Sequence, residues 1–356
     1  MKKLRVAIIG QGRSGRNIHG AFFKSEANEV AEVVAVVELD PERRARALGE
    51  YPGCTVHERY EELYGRKDVD LVVNATYSEM HYGITRELLL NGMNVLVEKP
   101  FGRNGYECRD LIKLAAEKNV KLAVFQQTFY APFYRFAREV AESGKLGELL
   151  QVSIRYNNFA RRWDWQTLQR KLAGGIYNTG PHPIGIGLGF LDFDKDARVV
   201  CSRLGVALTG GDGDDFAKII LEAPDKPLVD IEVTSVDAYS DYNIKLIGTR
   251  GTFKCTPSAY KMKYVVDGEN VERPVIAESL KDENGMPIYC SEKLIAHEEE
   301  GTFDGNAFDR GTRSLYEQLR DYILENEPME VTAYTAMRIT EVIETVHAQN
   351  PLPMRF

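Results

Sequence analysis

Cysteine is sparse and poorly placed for cross-linking. Cys54, Cys108, Cys201, Cys255 and Cys290 are odd in number and include no Cys-x-x-Cys pair, which argues against a disulfide framework and against a metal site of the zinc type. Long apolar runs are also missing. None approaches the roughly 18 residues of a membrane span, and Met1-Lys2-Lys3 leads straight into the first strand with no apolar leader. The expected compartment is the cytoplasm, with no membrane partner. Basic residues are not in excess either. The 45 Lys and Arg against 53 Asp and Glu leave a net charge of −8, the wrong sign for a surface that binds nucleic acid. What remains is an ordinary globular composition, 44% hydrophobic and 28% charged. At 356 residues the chain exceeds one ordinary core, so two domains are expected.

The first third alternates strand and helix signals. Apolar runs at 5–9, 33–37, 71–73, 94–97 and 121–125 are separated by helical stretches such as Tyr82 to Leu90, a rhythm that implies a doubly wound parallel sheet. From residue 149 the period changes to two. Leu150, Val152, Ile154 and Tyr156 alternate with polar residues, as do Val229, Ile231 and Val233, the pattern of strands in an antiparallel or mixed sheet. Ile244 to Ile247 and Thr252 to Cys255 flank Gly248-Thr249-Arg250-Gly251 and read as a hairpin. Two amphipathic helices close the chain, the second with Thr332 as its N-cap. The domain boundary falls near 122–126, giving an α/β domain over 1–123 and a second over 124–356.

Three constellations carry chemistry. In Gly10-Gln11-Gly12-Arg13-Ser14-Gly15, the first glycine permits the turn after a strand. The second admits a pyrophosphate to the backbone, and the third lets helix and strand pack closely. Free N–H groups at the following helix start suit the phosphates. At the next strand end, Glu38 can accept both ribose hydroxyls of NAD and would repel a 2′-phosphate. Arg43 and Arg44 argue the other way, unless they only solvate a helix start after Pro41. The second constellation is Glu98-Lys99-Pro100, which puts an amine at a strand's carboxyl end, facing the crevice where such sheets bind ligands. The third is Gly174-Gly175-Ile176-Tyr177-Asn178-Thr179-Gly180-Pro181-His182. If it is helical from Ile176, Asn178 and His182 share one face, and His182 is the natural proton acceptor at neutral pH. On its own, however, a lone histidine is more often a satisfied core or surface residue. His19, His57, His297 and His347 have no neighbours in sequence that suggest chemistry. Asp212-Gly213-Asp214-Asp215 lacks the spaced ligands of a calcium loop and reads as a turn.

Together with Ala75-Thr76 and His81 after the fourth strand, Ser143 to Glu148, and the closing His347-Ala348-Gln349-Asn350-Pro351, these segments resemble the glucose–fructose oxidoreductase/inositol dehydrogenase/rhizopine-catabolism (Gfo/Idh/MocA) family over nearly the whole chain. The resemblance implies a Rossmann domain plus an α/β domain with an open, mostly antiparallel sheet, often a surface for dimers or tetramers. It implies Lys99 and His182 as the catalytic pair, joined by Asn178. It also adds Ala75, Thr76, His81, Glu98, Lys99 and Gln126 to the glycine loop and Glu38 as cofactor contacts. The expected cofactor is NAD, with NADP second. The substrate would be a sugar, cyclitol or related polyol held by Lys99, Asn178 and His182. Trp163 and Trp165 would form an apolar platform for it or simply pack.

Two departures stand out. Asn178 and Gly185 occupy positions where the family pattern carries acids, and Gln126-Gln127-Thr128 replaces an Asn-Arg-Arg-like stretch. The expected activity is hydride transfer between nicotinamide and a CH-OH group. A glycosidase working by transient oxidation, or a non-catalytic NAD sensor, are the alternatives.

Overall fold

Runs of β-branched residues with no polar interruption favour strands buried on both faces, and that is what the first third forms. The computed structural model describes residues 2–356. Its first sheet holds β1 (Leu4–Ile9), β2 (Ala31–Val37), β3 (Thr55–His57), β4 (Leu71–Asn74), β5 (Val95–Val97) and β6 (Leu122–Val124). All pairs are parallel, in the order β3-β2-β1-β4-β5-β6. The edge strand β3 is the element the apolar runs did not mark, because it is short and only half-buried. Strand order reverses between β1 and β4, which opens a crevice above their carboxyl ends. The helices between strands carry their own stop signals. Asp40 caps Pro41–Glu50 by accepting from the N–H groups of Glu42 and Arg43, and Asn104 caps Gly105–Lys118. The segment after the glycine loop is helical as expected, but it is wound as a π-helix over Arg13–His19 before an α-turn at Gly20–Phe23.

The second sheet has eight strands. They are β7 (Leu149–Asn157), β8 (Arg198–Gly205), β9 (Phe216–Glu222), β10 (Leu228–Thr234), β11 (Ile244–Gly248), β12 (Gly251–Cys255), β13 (Ala259–Tyr264) and, after a small hairpin of β14 (Leu280–Lys281) and β15 (Pro287–Ile288), β16 (His297–Thr302). The sheet is antiparallel except where β7 runs parallel to β10. The expected hairpin is β11–β12. On β7 the expected alternation is not kept. Val152 and Ile154 are buried, but so is Ser153 between them, and Leu150 is 54% exposed.

The helix Pro181–Phe190 lies across this sheet. It approaches closely because Gly187 has no side chain: a Cβ there would stand 2.9 Å from the side chains of Val229 and Ile231. The closing helices are Ala307–Leu324 and Ala333–Gln349, with the Thr332 hydroxyl accepting from the Thr335 N–H. The second of them joins the first domain's core through Ala333, Ala336 and Met337. Among the described residues no helix is long and apolar enough to cross a membrane.

The glycine loop shows why its three glycines are not equivalent. A Cβ on Gly15 would fall 1.9 Å from the Gly10 carbonyl oxygen, and one on Gly10 (φ +92) 2.7 Å from that of Ala75. Around Gly12 nothing lies within 4 Å. Gly15→Ala should therefore cost about 1–3 kcal/mol in urea unfolding, as overpacking does. Gly12→Ala should stay within about 0.5 kcal/mol, and equal costs for the two would contradict this reading.

Candidate active site

At the carboxyl end of β5 the chain places two charged residues in succession. Glu98 is buried, with Oε1 3.1 Å from Nε2 of His19 and Oε2 accepting from the Lys99 N–H at 3.1 Å. Burial alone would raise this carboxyl, but the pairing with His19 and then the Lys99 ammonium bring it down to about 2. His19 reaches onward: its Nδ1 is 2.7 Å from the hydroxyl of the fully buried Tyr316. Glu98, expected to face the cofactor, is thus engaged mainly with His19. Sequence order hid this partner, since His19 lies 79 residues from Glu98 and 297 from Tyr316.

Lys99 donates from Nζ to the backbone carbonyl of Asn178 at 2.7 Å, which joins the first sheet to the Gly-Gly segment. Burial pulls its pKa down, and the Arg13 and Arg162 guanidiniums pull it further against the opposing Glu98. His182 lies close enough to feel Lys99. Burial first and the Lys99 ammonium second lower its imidazole to about 3. Its Nδ1 is 2.8 Å from the Thr128 hydroxyl, and its ring stacks on Tyr156 with centroids 6.4 Å apart.

The expected Asn178–His182 pairing does not form. The helix Gly175–Asn178 ends at Thr179, and a new one starts at Pro181. A Cβ at Gly180 would come within 2.2 Å of the Ile176 carbonyl oxygen, so the chain bends tightly there. The Asn178 amide instead donates to the Gln166 carbonyl at 2.7 Å. At the other departure, Gly185, a Cβ would stand 2.9 Å from the Phe129 ring and 3.0 Å from Ile339. Apolar packing occupies the space an acid would need.

The remaining sequence candidates separate into those near open space and those tied to the frame. Gly12 opens onto free space, Arg13 is exposed and Ser14 is half-buried. Glu38 takes the N–H groups of Gln11 (2.7 Å) and Asp40 (3.1 Å), which holds its carboxylate at the β2 end. Arg43 sits 3.6 Å from that carboxylate, while Arg44 donates to the Glu38 and Leu39 carbonyls. Gln11 and Gln126 are buried with Oε1 atoms that have no protein partner. Thr76 bonds Asn74, and the Ala75 carbonyl lies under Gly10. His81 is buried with its two ring nitrogens on the carbonyls of Pro100 and Thr76 (2.8 and 3.2 Å), so it braces the β4 and β5 ends. Trp165 packs edge-on against Tyr77 at 4.9 Å. Trp163 is 80% exposed.

An unfilled space at Gly12, tight packing at Gly10 and Gly15, and the unpartnered amide oxygen of the adjoining Gln11 suit a dinucleotide. The family model for the NAD-binding Rossmann fold of this oxidoreductase family matches residues 4–126, and the model for its C-terminal domain matches 134–254. The chain belongs to the Gfo/Idh/MocA family. Among its relatives, an uncharacterised oxidoreductase of Schizosaccharomyces pombe is 27% identical, covering 71% of this chain and 70% of that protein. A 2,7-anhydro-N-acetylneuraminate hydratase of Mediterraneibacter gnavus is 26% identical, covering 81% of this chain and 77% of the relative. In fold the chain is similar to a 3-ketoreductase from Actinomadura kijaniata, solved with NADP and TDP-benzene. That match has a TM-score of 0.77 and 17% identity, and covers 98% of each chain.

Within this family member the Asp212–Asp215 turn has a structural task. Asp215 accepts from the N–H groups of Ala207, Leu208 and Thr209. Asp212 accepts from those of Gln169, Arg355 and Phe356. Asp214 is buried beneath the Gly-Gly segment, with Oδ2 on the Ile176 N–H at 2.8 Å and Oδ1 unpartnered. Among the described residues no cluster could hold a metal ion. Burial raises the Asp214 carboxyl from its ordinary 3.8 to about 7, against the opposing bond from Ile176. The folded state therefore holds a proton that the unfolded state has lost between those values, and this group's contribution makes stability fall as pH rises through that window. Asp214→Asn should flatten the fall between about pH 4 and 7 in urea midpoints; an unchanged slope would contradict it.

Proposed function

We propose that the protein is an NAD(P)-dependent oxidoreductase that exchanges a hydride with a CH-OH or carbonyl carbon of a sugar, cyclitol or related polyol. The observation that carries this reading is that Lys99, at the carboxyl end of β5, bonds the Asn178 carbonyl of the Gly-Gly segment and lies near enough to His182 for its charge to act on the imidazole. A bound nicotinamide supplies the hydride exchange. The protein's residues handle the oxygen and its proton. Lys99, its proton loosened by burial and by two guanidiniums, donates to the substrate oxygen and stabilises charge developing there. His182 stays neutral over the physiological range and takes or returns the hydroxyl proton. Gln11, Gln126 and the Gly12 backbone would hold the dinucleotide. Glu38 is fixed where a 2′-phosphate would meet its charge, and Arg43 and Arg44 are already engaged, so NAD is the preferred form. The NADP bound to the similar ketoreductase shows what the fold admits elsewhere. Trp165 with Tyr77 offers a sugar face an apolar wall, and the cytoplasm and a homo-oligomer fit the reading.

A second reading rests on the hydratase relative. The same pair could serve a lyase, hydratase or glycosidase that oxidises its substrate transiently and ends without net cofactor change. A panel of sugars and polyols, followed at the NADH absorbance band with NAD and NADP, separates the two. Net absorbance change supports the oxidoreductase, and product without it the second reading. With a substrate in hand, Lys99→Met should lower kcat by about 2.7–4 kcal/mol in barrier terms with dinucleotide affinity intact. His182→Ala should cost about 10²–10⁴ in rate. The acidic limb of kcat/KM should fall below the ordinary histidine value of about 6.5, since protonation is what disables the base. A native-like His182→Ala would remove it from that role.

A further inference from the structure

The Gln126-Gln127-Thr128 stretch is unlike the family pattern, and its last residue touches the proposed proton carrier. Thr128 is buried in the tight turn Gln127–Tyr130, directly beyond β6. Its hydroxyl is the one side-chain hydrogen-bond partner of His182 among the described residues, 2.8 Å from Nδ1. The turn is anchored on both sides. Phe129 packs edge-on against Tyr134 at 5.7 Å, and the Tyr130 hydroxyl donates to Gln318 Oε1 at 3.0 Å. The helix Ala307–Leu324 comes so close that a Cβ on Gly311 would stand 2.4 Å from the Gln127 carbonyl oxygen. A threonine held this firmly can fix a ring.

We propose that Thr128 is the positioning residue of His182, setting the ring's orientation through Nδ1 and serving either neutral tautomer without supplying a charge. A hydroxyl both accepts and donates. Accepting from Nδ1–H, it leaves the Nε2 lone pair free to take a proton from a substrate hydroxyl. Donating to Nδ1, it leaves a proton on Nε2 to be given to a carbonyl oxygen. A carboxylate would hold only the first arrangement and would stabilise the charged ring. The other ionisable groups around His182 are Lys99 and Glu98 from the β5 end and Tyr156 from β7. None of them bonds Nδ1.

This inference rests on His182 exchanging the substrate proton, but the Nδ1 hydrogen bond can be read without turnover. In the full chain labelled with ¹⁵N-histidine, the His182 ring signals are identified by their loss in His182→Ala. The native protein should show a hydrogen-bonded Nδ1. Thr128→Val, equal in shape but lacking the hydroxyl, should lose that signature, and Thr128→Ser should restore it. In turnover, Thr128→Val should lower kcat on the order of tenfold, the worth of one buried hydrogen bond. KM should change little, and Thr128→Ser should recover most of the loss. Thr128→Ala gives the same comparison if Thr128→Val does not fold. A native Nδ1 signal in the variant lacking the hydroxyl overturns the proposal. If His182→Ala keeps the native rate while Thr128→Val still loses the Nδ1 hydrogen bond, the functional reading fails and the positioning contact stands.

Discussion

The buried carboxylate of Glu98 is the point on which the rest of the site hangs. An ionised group out of water is tolerable only when fully partnered, and its partners come from separate parts of the chain. The Lys99 N–H arrives from its own strand end, and His19 from the helix behind the glycine loop. Through His19 the connection runs to Tyr316 on a C-terminal helix. That same helix holds the Thr128 turn through Gly311. The dinucleotide loop, the lysine and the partner of His182 are therefore referenced to one buried polar chain. Loss of a partner there would leave a stranded charge, which is why the arrangement is stiff.

The two charged residues at the β5 end experience opposite environments a peptide bond apart. Glu98 keeps its charge because donors surround it. Lys99 is pushed toward losing its proton by burial and by two guanidiniums. An amine in that condition gives up a hydrogen-bonded proton easily, and a nearby imidazole resists gaining one. Burial is the first cause of both shifts.

Much of the site was legible because its signals are local. A glycine loop between a strand and a helix, an acid at the β2 end and Glu98-Lys99-Pro100 after an apolar run are each contained in a few residues. The closing helices were legible for the same reason, through period and cap. The relation between Asn178 and His182 was not. A four-residue spacing implies a shared face only if the helix continues, and Gly180 is where the chain bends instead. What Asn178 offers Lys99 is its backbone carbonyl, which any residue would supply.

Short-range pattern was enough to establish the class of fold and the place of the glycine loop, because each is contained in a few consecutive residues. Which groups Lys99 and His182 meet depends instead on long-range packing. Thr128 reaches His182 across 54 positions and Lys99 reaches Asn178 across 79. Pairings at such separations depend on how two sheets and the helices between them pack. No periodicity records that geometry, because it is set by the shapes of buried side chains and by the few glycines that let backbones approach.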